Sequence, residues 1–243
     1  MGRTTLLLLP GLLCDARLWD AQCAALADVA ETIVADLTRD DDVAAMAARA
    51  LELAPPRFAL AGLSMGGYVA FAILRAAPER VTRLCLMDTT ARPDSEEQRR
   101  RRRGLMALTR QGRFRGVTPR LLPMLLHPDR LADAPLAAEV MDMAGRVGKA
   151  AFLRQQQAIL ARPDSRPDLA RIRVPTRVLV GSGDQLTPPP LAREIADGIP
   201  GASFDVLPGC GHLPPLERPG LVSAHLRDWL ADAAGSHNSD AIG

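Results

Sequence analysis

The sequence predicts an α/β chain built on a mostly parallel, doubly wound sheet, and three observations carry that expectation. Short apolar runs of strand length alternate with helical stretches through brief loops, the pattern of a parallel sheet covered on both faces. One of those runs ends in Gly62-Leu63-Ser64-Met65-Gly66 and turns at once into a helical stretch. The alternation stops after Asp88 and resumes only near residue 172, leaving a long helical block inside the α/β pattern. At 243 residues, with 47% hydrophobic and 24% charged side chains, the chain can bury a substantial core and does not read as disordered. The expected division is a core made of residues 1–88 and 172–234, a helical cap over 89–171, and a flexible tail over 235–243.

Taken in order, Thr4–Leu9 reads as a buried strand. Leu6 to Leu9 imitate the start of a secretion signal, but Pro10-Gly11 cuts the apolar run short and a bulky leucine precedes Cys14. Residues 15–27 read as a helix and 32–36 as the second strand. A helix over 42–53 has Asp40, Asp41 and Asp42 at its positive end. Residues 56–61 form the third strand, followed by a helix through Leu74 that Pro78 closes. Val81–Met87 is the fourth strand. In the block that follows, Pro119, Pro123, Pro128, Pro135, Pro163 and Pro167 interrupt helical material. Strands over 176–180 and Ser203–Leu207 flank a helix over 189–197, and a last amphipathic helix covers 216–233. No run is long enough to span a bilayer.

The chemistry centres on Ser64. A strand that turns abruptly into a helix forces the residue at the turn into an unfavourable backbone conformation. Gly62 and Gly66 remove the side chains that would clash there. The hydroxyl would then stand clear of the sheet, at a helix N-terminus that favours negative charge. A serine needs a base, and the base needs a group that fixes its tautomer. Among His127, His212, His225 and His237, His212 follows a strand directly in Pro208-Gly209-Cys210-Gly211-His212, at the carboxyl edge where sites assemble in open sheets. Asp184, in Gly181-Ser182-Gly183-Asp184, is the expected acid. Asp88, which closes the strand after the elbow helix, is the competitor and otherwise caps the start of the insertion. An oxyanion needs two N–H donors. Met65 supplies one, and Leu12, with Leu13 as the fallback, supplies the other.

The remaining features have bland readings beside functional ones. A formal net charge of +2 gives no reason to expect nucleic acid or a membrane surface as partner. Cys14, Cys23, Cys85 and Cys210 match no zinc spacing and read as reduced thiols of a cytosolic protein, so no metal site is expected. Arg99 to Arg103 wraps more than a helical turn and reads as a solvated helix paired with nearby acids. Met106, Met124, Met141, Met143, Phe114 and Phe152 either line an adaptable acyl pocket or pack the cap onto the sheet. Trp19 packs beside the oxyanion loop, where it can also border substrate together with Leu13, Met124 and Phe152.

Together, Gly62-Leu63-Ser64-Met65-Gly66-Gly67, Gly181-Ser182-Gly183-Asp184, Gly211-His212 and Leu9-Pro10-Gly11-Leu12-Leu13 resemble the α/β-hydrolase superfamily. The likeness is to its compact bacterial branch with a helical cap, which includes carboxylesterases and lactonases. Many relatives carry His-Gly where this chain has Pro10-Gly11. The resemblance implies a Ser64-His212-Asp184 hydrolase of small carboxylic esters that uses no cofactor and does not insert into membranes. Two other outcomes stay open: an acyltransferase, thioesterase or lactonase working through the same acyl-enzyme, and an inactive binding protein on a hydrolase scaffold.

Overall fold

The first strand, β1 (Thr4–Leu9), is a run of leucines whose side chains alternate between the two faces of the sheet. Leu7 and Leu9 join one core cluster and Leu6 and Leu8 the other, and all four are fully buried. Burial on both faces is what allows an unbroken apolar run where a half-exposed strand would alternate. The computed structural model describes residues 3–112 and 114–231. The tail expected over 235–243, His237 and the end of the helix expected over 216–233 therefore lie outside the described residues.

Asp15 caps a 3-10 turn (Ala16–Trp19) by accepting the Arg17 N–H, and α1 (Asp20–Ala25) continues from it, so the stretch is two short pieces and not one helix. β2 (Ala30–Val34) begins two residues earlier than expected. The carboxylate of Asp42 accepts the N–H groups of Ala44 and Ala45 and so starts α2 (Val43–Leu53). Then come β3 (Phe58–Leu63), α3 (Met65–Ala76) and β4 (Val81–Met87).

Among the described residues between β4 and β5 (Thr176–Gly181) lie four α-helices: α4 (Glu96–Arg110), α5 (Leu122–Leu125), α6 (Ala134–Ala161) and α7 (Arg166–Leu169). The prolines here start helices more often than they break them. Pro123, Pro135 and Pro167 occupy first turns, where the missing N–H costs nothing. The break in the long α6 falls instead at Gly148, whose φ of 77° is left-handed. In the arginine run, Arg102 turns inward. It bonds the buried carboxylate of Asp94 at 2.8 Å, and Asp94 also holds Arg162 at 2.8 Å, joining α4 to the end of α6. Arg99 meets Glu96, while Arg100, Arg101 and Arg103 are exposed, so only part of the run is solvated.

The chain finishes with α8 (Pro189–Gly198), β6 (Ser203–Leu207), α9 (Pro214–Glu217) and α10 (Pro219–Ala231). The expected single C-terminal helix is split because Arg218, which precedes Pro219, takes non-helical angles (φ −137°, ψ 61°). No helix among the described residues is long and apolar enough to cross a membrane.

The six strands lie in the order β2-β1-β3-β4-β5-β6, and every neighbouring pair is parallel. One face packs residues of α2, α3 and α8 against Leu60, Leu84 and Val178. The other packs Trp19, Leu226 and Trp229 against Ala59, Cys85 and Leu179. The chain leaves β1 towards β2 and returns to β3 on the opposite side of β1. Loops that leave the carboxyl ends of β1 and β3 therefore part in opposite directions and open a crevice between them.

Candidate active site

Ser64 stands at that crevice, between the end of β3 and the start of α3, with φ 54° and ψ −114°. A non-glycine residue at positive φ costs about 1–3 kcal/mol, so its surroundings must hold it. They do so through the backbone. The Ser64 N–H donates to Met87 O at 2.9 Å, and Ser64 O accepts from Gly67 N at 2.9 Å and from the Thr89 hydroxyl at 2.8 Å. The two elbow glycines are sterically required. A Cβ on Gly62 would lie 2.6 Å from Gly66 O, and one on Gly66 would lie 2.2 Å from Leu9 O.

His212 arrives from the far side of the sheet on the loop after β6. That loop is pressed against the loop after β5, since a Cβ on Gly181 would lie 1.9 Å from Gly211 O. The Ser64 Oγ to His212 Nε2 distance is 2.8 Å, and His212 Nδ1 lies 2.9 Å from Asp184 Oδ2. Asp184 is fixed in turn. Its Oδ1 accepts Leu186 N–H (2.8 Å) and Thr187 N–H (3.1 Å), and its Oδ2 accepts the Thr187 hydroxyl (2.7 Å). Burial alone would raise its carboxyl. The charge and hydrogen bond of His212, with the Thr187 bonds, outweigh that effect and hold it well below the usual carboxylate range. A carboxylate only accepts, so Nδ1 carries the ring proton and Nε2 is left to accept the Ser64 hydroxyl.

Asp88 is equally buried but differently engaged. Its Oδ1 accepts Gly181 N–H at 2.8 Å, so it ties β4 to the end of β5 and does not cap the insertion. Burial first, and then the neighbouring Asp184 charge, push its carboxyl well above the usual range. Donor atoms of Asp88, Asp184 and His212 lie within 4.8 Å of one another, close enough to hold a metal ion. Both ring nitrogens and both Asp184 oxygens are already hydrogen-bonded, so a cation there would have to break the Ser64–His212–Asp184 chain.

The loop after β1 forms a turn closed by Cys14 N–H to Gly11 O at 3.2 Å, with Leu13 at φ 60°. A Cβ on Gly11 would lie 3.4 Å from the Ser64 Cβ, which places this turn directly beside the serine. The Leu13 N–H is taken by Gln155 Oε1 at 3.1 Å, whereas those of Leu12 and Met65 have no acceptor among the described residues. Leu13 and Phe152 pack together with Ala144, and the Phe114 and Phe152 rings lie 5.2 Å apart. Met124 is partly buried on α5, whose last carbonyl, Leu125 O, accepts the His212 N–H. Trp19 lies fully enclosed in the core beneath the loop, which leaves it no surface for a ligand.

Sequence reasoning missed three residues. Thr187 holds Asp184, and its signal was the three-residue spacing of an aspartate turn. Gln155, fully buried on α6, bonds Leu13 N and Leu37 O, a contact 142 residues apart that no local pattern announces. Glu217 accepts the N–H groups of Gly211, Leu213 and His127. All four cysteines are free, and burial pushes the Cys14, Cys85 and Cys210 thiols up to about 12, which leaves them unreactive.

Among curated proteins the chain is similar to the pimeloyl-[acyl-carrier protein] methyl ester esterase of Neisseria meningitidis, 30% identical over 176 residues, covering 70% of this chain and 67% of that protein. Among solved structures it is similar to a thermophilic esterase from Thermogutta terrifontis, with TM-score 0.84, 31% identity, and coverage of 95% and 90% of the two chains. The enol-lactonase of Burkholderia xenovorans LB400 shares the fold at TM-score 0.84 and 24% identity, over 95% of this chain and 92% of that one. The model of the alpha/beta hydrolase family matches residues 6–225, and the chain belongs to that family.

Proposed function

We propose that the chain is a serine hydrolase of small carboxylic esters working through an acyl-enzyme. The observation that carries the reading is the unbroken hydrogen-bond chain from Ser64 through His212 to Asp184, at 2.8 and 2.9 Å. In this mechanism His212 Nε2 takes the Ser64 proton as Oγ attacks the ester carbonyl, and Asp184 stabilises the ring once it is positively charged. The N–H groups of Leu12 and Met65 receive the oxyanion, each worth about 3–4 kcal/mol of barrier. His212 then protonates the departing alcohol, and water, activated by the same ring, releases the acid.

The helices between β4 and β5 act as the cap of the site, with Leu13, Phe152 and Met124 bordering the acyl group. The reading is supported by Gln155 of α6 bonding the oxyanion loop and by Leu125 of α5 bonding the base. Two similar proteins are named esterases, which fits the same chemistry. Four free thiols favour placement in the cytosol.

The test is hydrolysis of p-nitrophenyl esters of increasing chain length by the wild type, Ser64→Ala and His212→Ala. The expected result is turnover by the wild type and a loss of about 10⁴-fold or more in each variant. Wild-type rates in Ser64→Ala would overturn the proposal, and an acceptor alcohol that outcompetes water would make the enzyme an acyltransferase.

A further inference from the structure

We infer that Glu217 is a positioning residue that fixes the His212 loop and the Leu125-to-His127 segment of the insertion to each other, so that base and cap hold one geometry. The inference rests on the reading of His212 as the base. Glu217 ends the four-residue α9 with its carboxylate buried, and only 1% of the residue is exposed. Its Oε1 accepts Gly211 N–H at 2.8 Å and Leu213 N–H at 3.2 Å, the two amides that flank His212. Its Oε2 accepts His127 N–H at 2.7 Å, from the insertion between β4 and β5. The His212 N–H donates to Leu125 O at 2.8 Å, which adds a direct bond between the same two segments. They run backbone against backbone, since a Cβ on Gly211 would lie 2.6 Å from His127 N.

Three donors converge on this side chain, and acceptors are needed on both of its arms. Only a carboxylate offers that. Glutamine has one accepting oxygen and an NH₂ that can only donate. Burial pushes the Glu217 carboxyl up, and its three N–H partners pull against that shift. A buried side chain that accepts from both segments links where the imidazole sits to where the pocket wall sits.

The two arms can be cut separately in the full-length protein. In Glu217→Gln, the single oxygen serves the arm with two donors, Gly211 and Leu213, and the NH₂ faces the His127 N–H. Site-resolved amide exchange should then show His127 exchanging faster while Gly211 and Leu213 stay protected. Exchange needs no substrate, so it judges Glu217 even if the chain hydrolyses no ester, an outcome that would sink the proposed function alone. In kinetics, Glu217→Gln should raise KM for a long-chain ester about 10-fold, the scale of one buried hydrogen bond, and change KM for p-nitrophenyl acetate much less. Glu217→Ala should lose kcat on both esters. Unchanged His127 exchange in Glu217→Gln, or an equal kcat loss on both esters, overturns the inference. If Glu217→Ala does not fold, Glu217→Gln still decides.

Discussion

Gln155→Leu is the most exacting test of how the insertion supports the oxyanion loop. Leucine is close in size, so the change removes hydrogen bonds without opening a large cavity. Gln155 is fully buried, with Oε1 3.1 Å from Leu13 N and Nε2 3.1 Å from Leu37 O. The variant leaves one N–H and one carbonyl buried without partners. Each costs about 1–3 kcal/mol, so the pair should destabilise the fold by ~2–6 kcal/mol. For a chain of this size that is a fall in Tm of about 4–24 °C. The catalytic effect is separate. The freed Leu13 N–H lies next to that of Leu12 in one tight turn, and a turn that relaxes misaims the donor proposed for the oxyanion. Loss of one such donor is worth ~10²–10³ in kcat, and partial misaiming should cost about 10- to 100-fold. The assay pairs thermal unfolding by circular dichroism with kcat/KM on p-nitrophenyl acetate, well below the variant's Tm. A lowered Tm with unchanged kcat/KM would refute the link from cap to oxyanion loop, and no change in either would refute the hydrogen bonds themselves.

Other substitutions have equally definite outcomes. Asp184→Asn should lower kcat by about 10⁴-fold, measured on the same ester, because an amide lets the ring adopt the wrong tautomer. Asp88→Asn should keep near-wild-type kcat, since the amide has the shape of the carboxyl and its oxygen can still accept Gly181 N–H. Its stability should diverge from the wild type with pH. The native Asp88 carboxyl is raised above its ordinary value of 3.8, so the stability it contributes is full below that pH and is lost as pH rises through the folded value. Urea unfolding across pH should therefore show Asp88→Asn gaining on the wild type above pH 3.8, by up to ~1.4 kcal/mol per pH unit. Gly66→Ala should fail to give folded protein, judged by circular dichroism of the soluble fraction, because its Cβ would lie 2.2 Å from Leu9 O.

What the sequence made legible follows the range of the forces involved. β1, β4 and β6 fall on the expected residues because their apolar runs end at sharp local signals, such as Pro10 and Pro208. The elbow was readable from its local Gly-x-Ser-x-Gly spacing between strand and helix. Gly62 is demanded by nearby Gly66 O, although what demands Gly66 is Leu9, far away in the chain. The C-terminal helix was misread at Arg218, although Pro219 was a local signal that the preceding residue leaves helical angles. The role of Asp88 was misread for a different reason. Its partner, Gly181, lies 93 residues away, and only the pairing of β4 with β5 brings them together. Gln155 and Glu217 belong to the same class. Gln155 bonds Leu13 N and Leu37 O, and Glu217 reaches His127 N, all distant in the chain, and a buried glutamine or glutamate leaves no periodic trace.

The most direct measurement of the central claim is covalent labelling by a fluorophosphonate, followed by intact mass and peptide mapping. Ser64, at 2.8 Å from His212 Nε2, should carry one adduct in the wild type, none in Ser64→Ala, and form it far more slowly in His212→Ala. A wild-type protein that hydrolyses esters while Ser64 stays unlabelled, or that labels equally fast without His212, would contradict the claim.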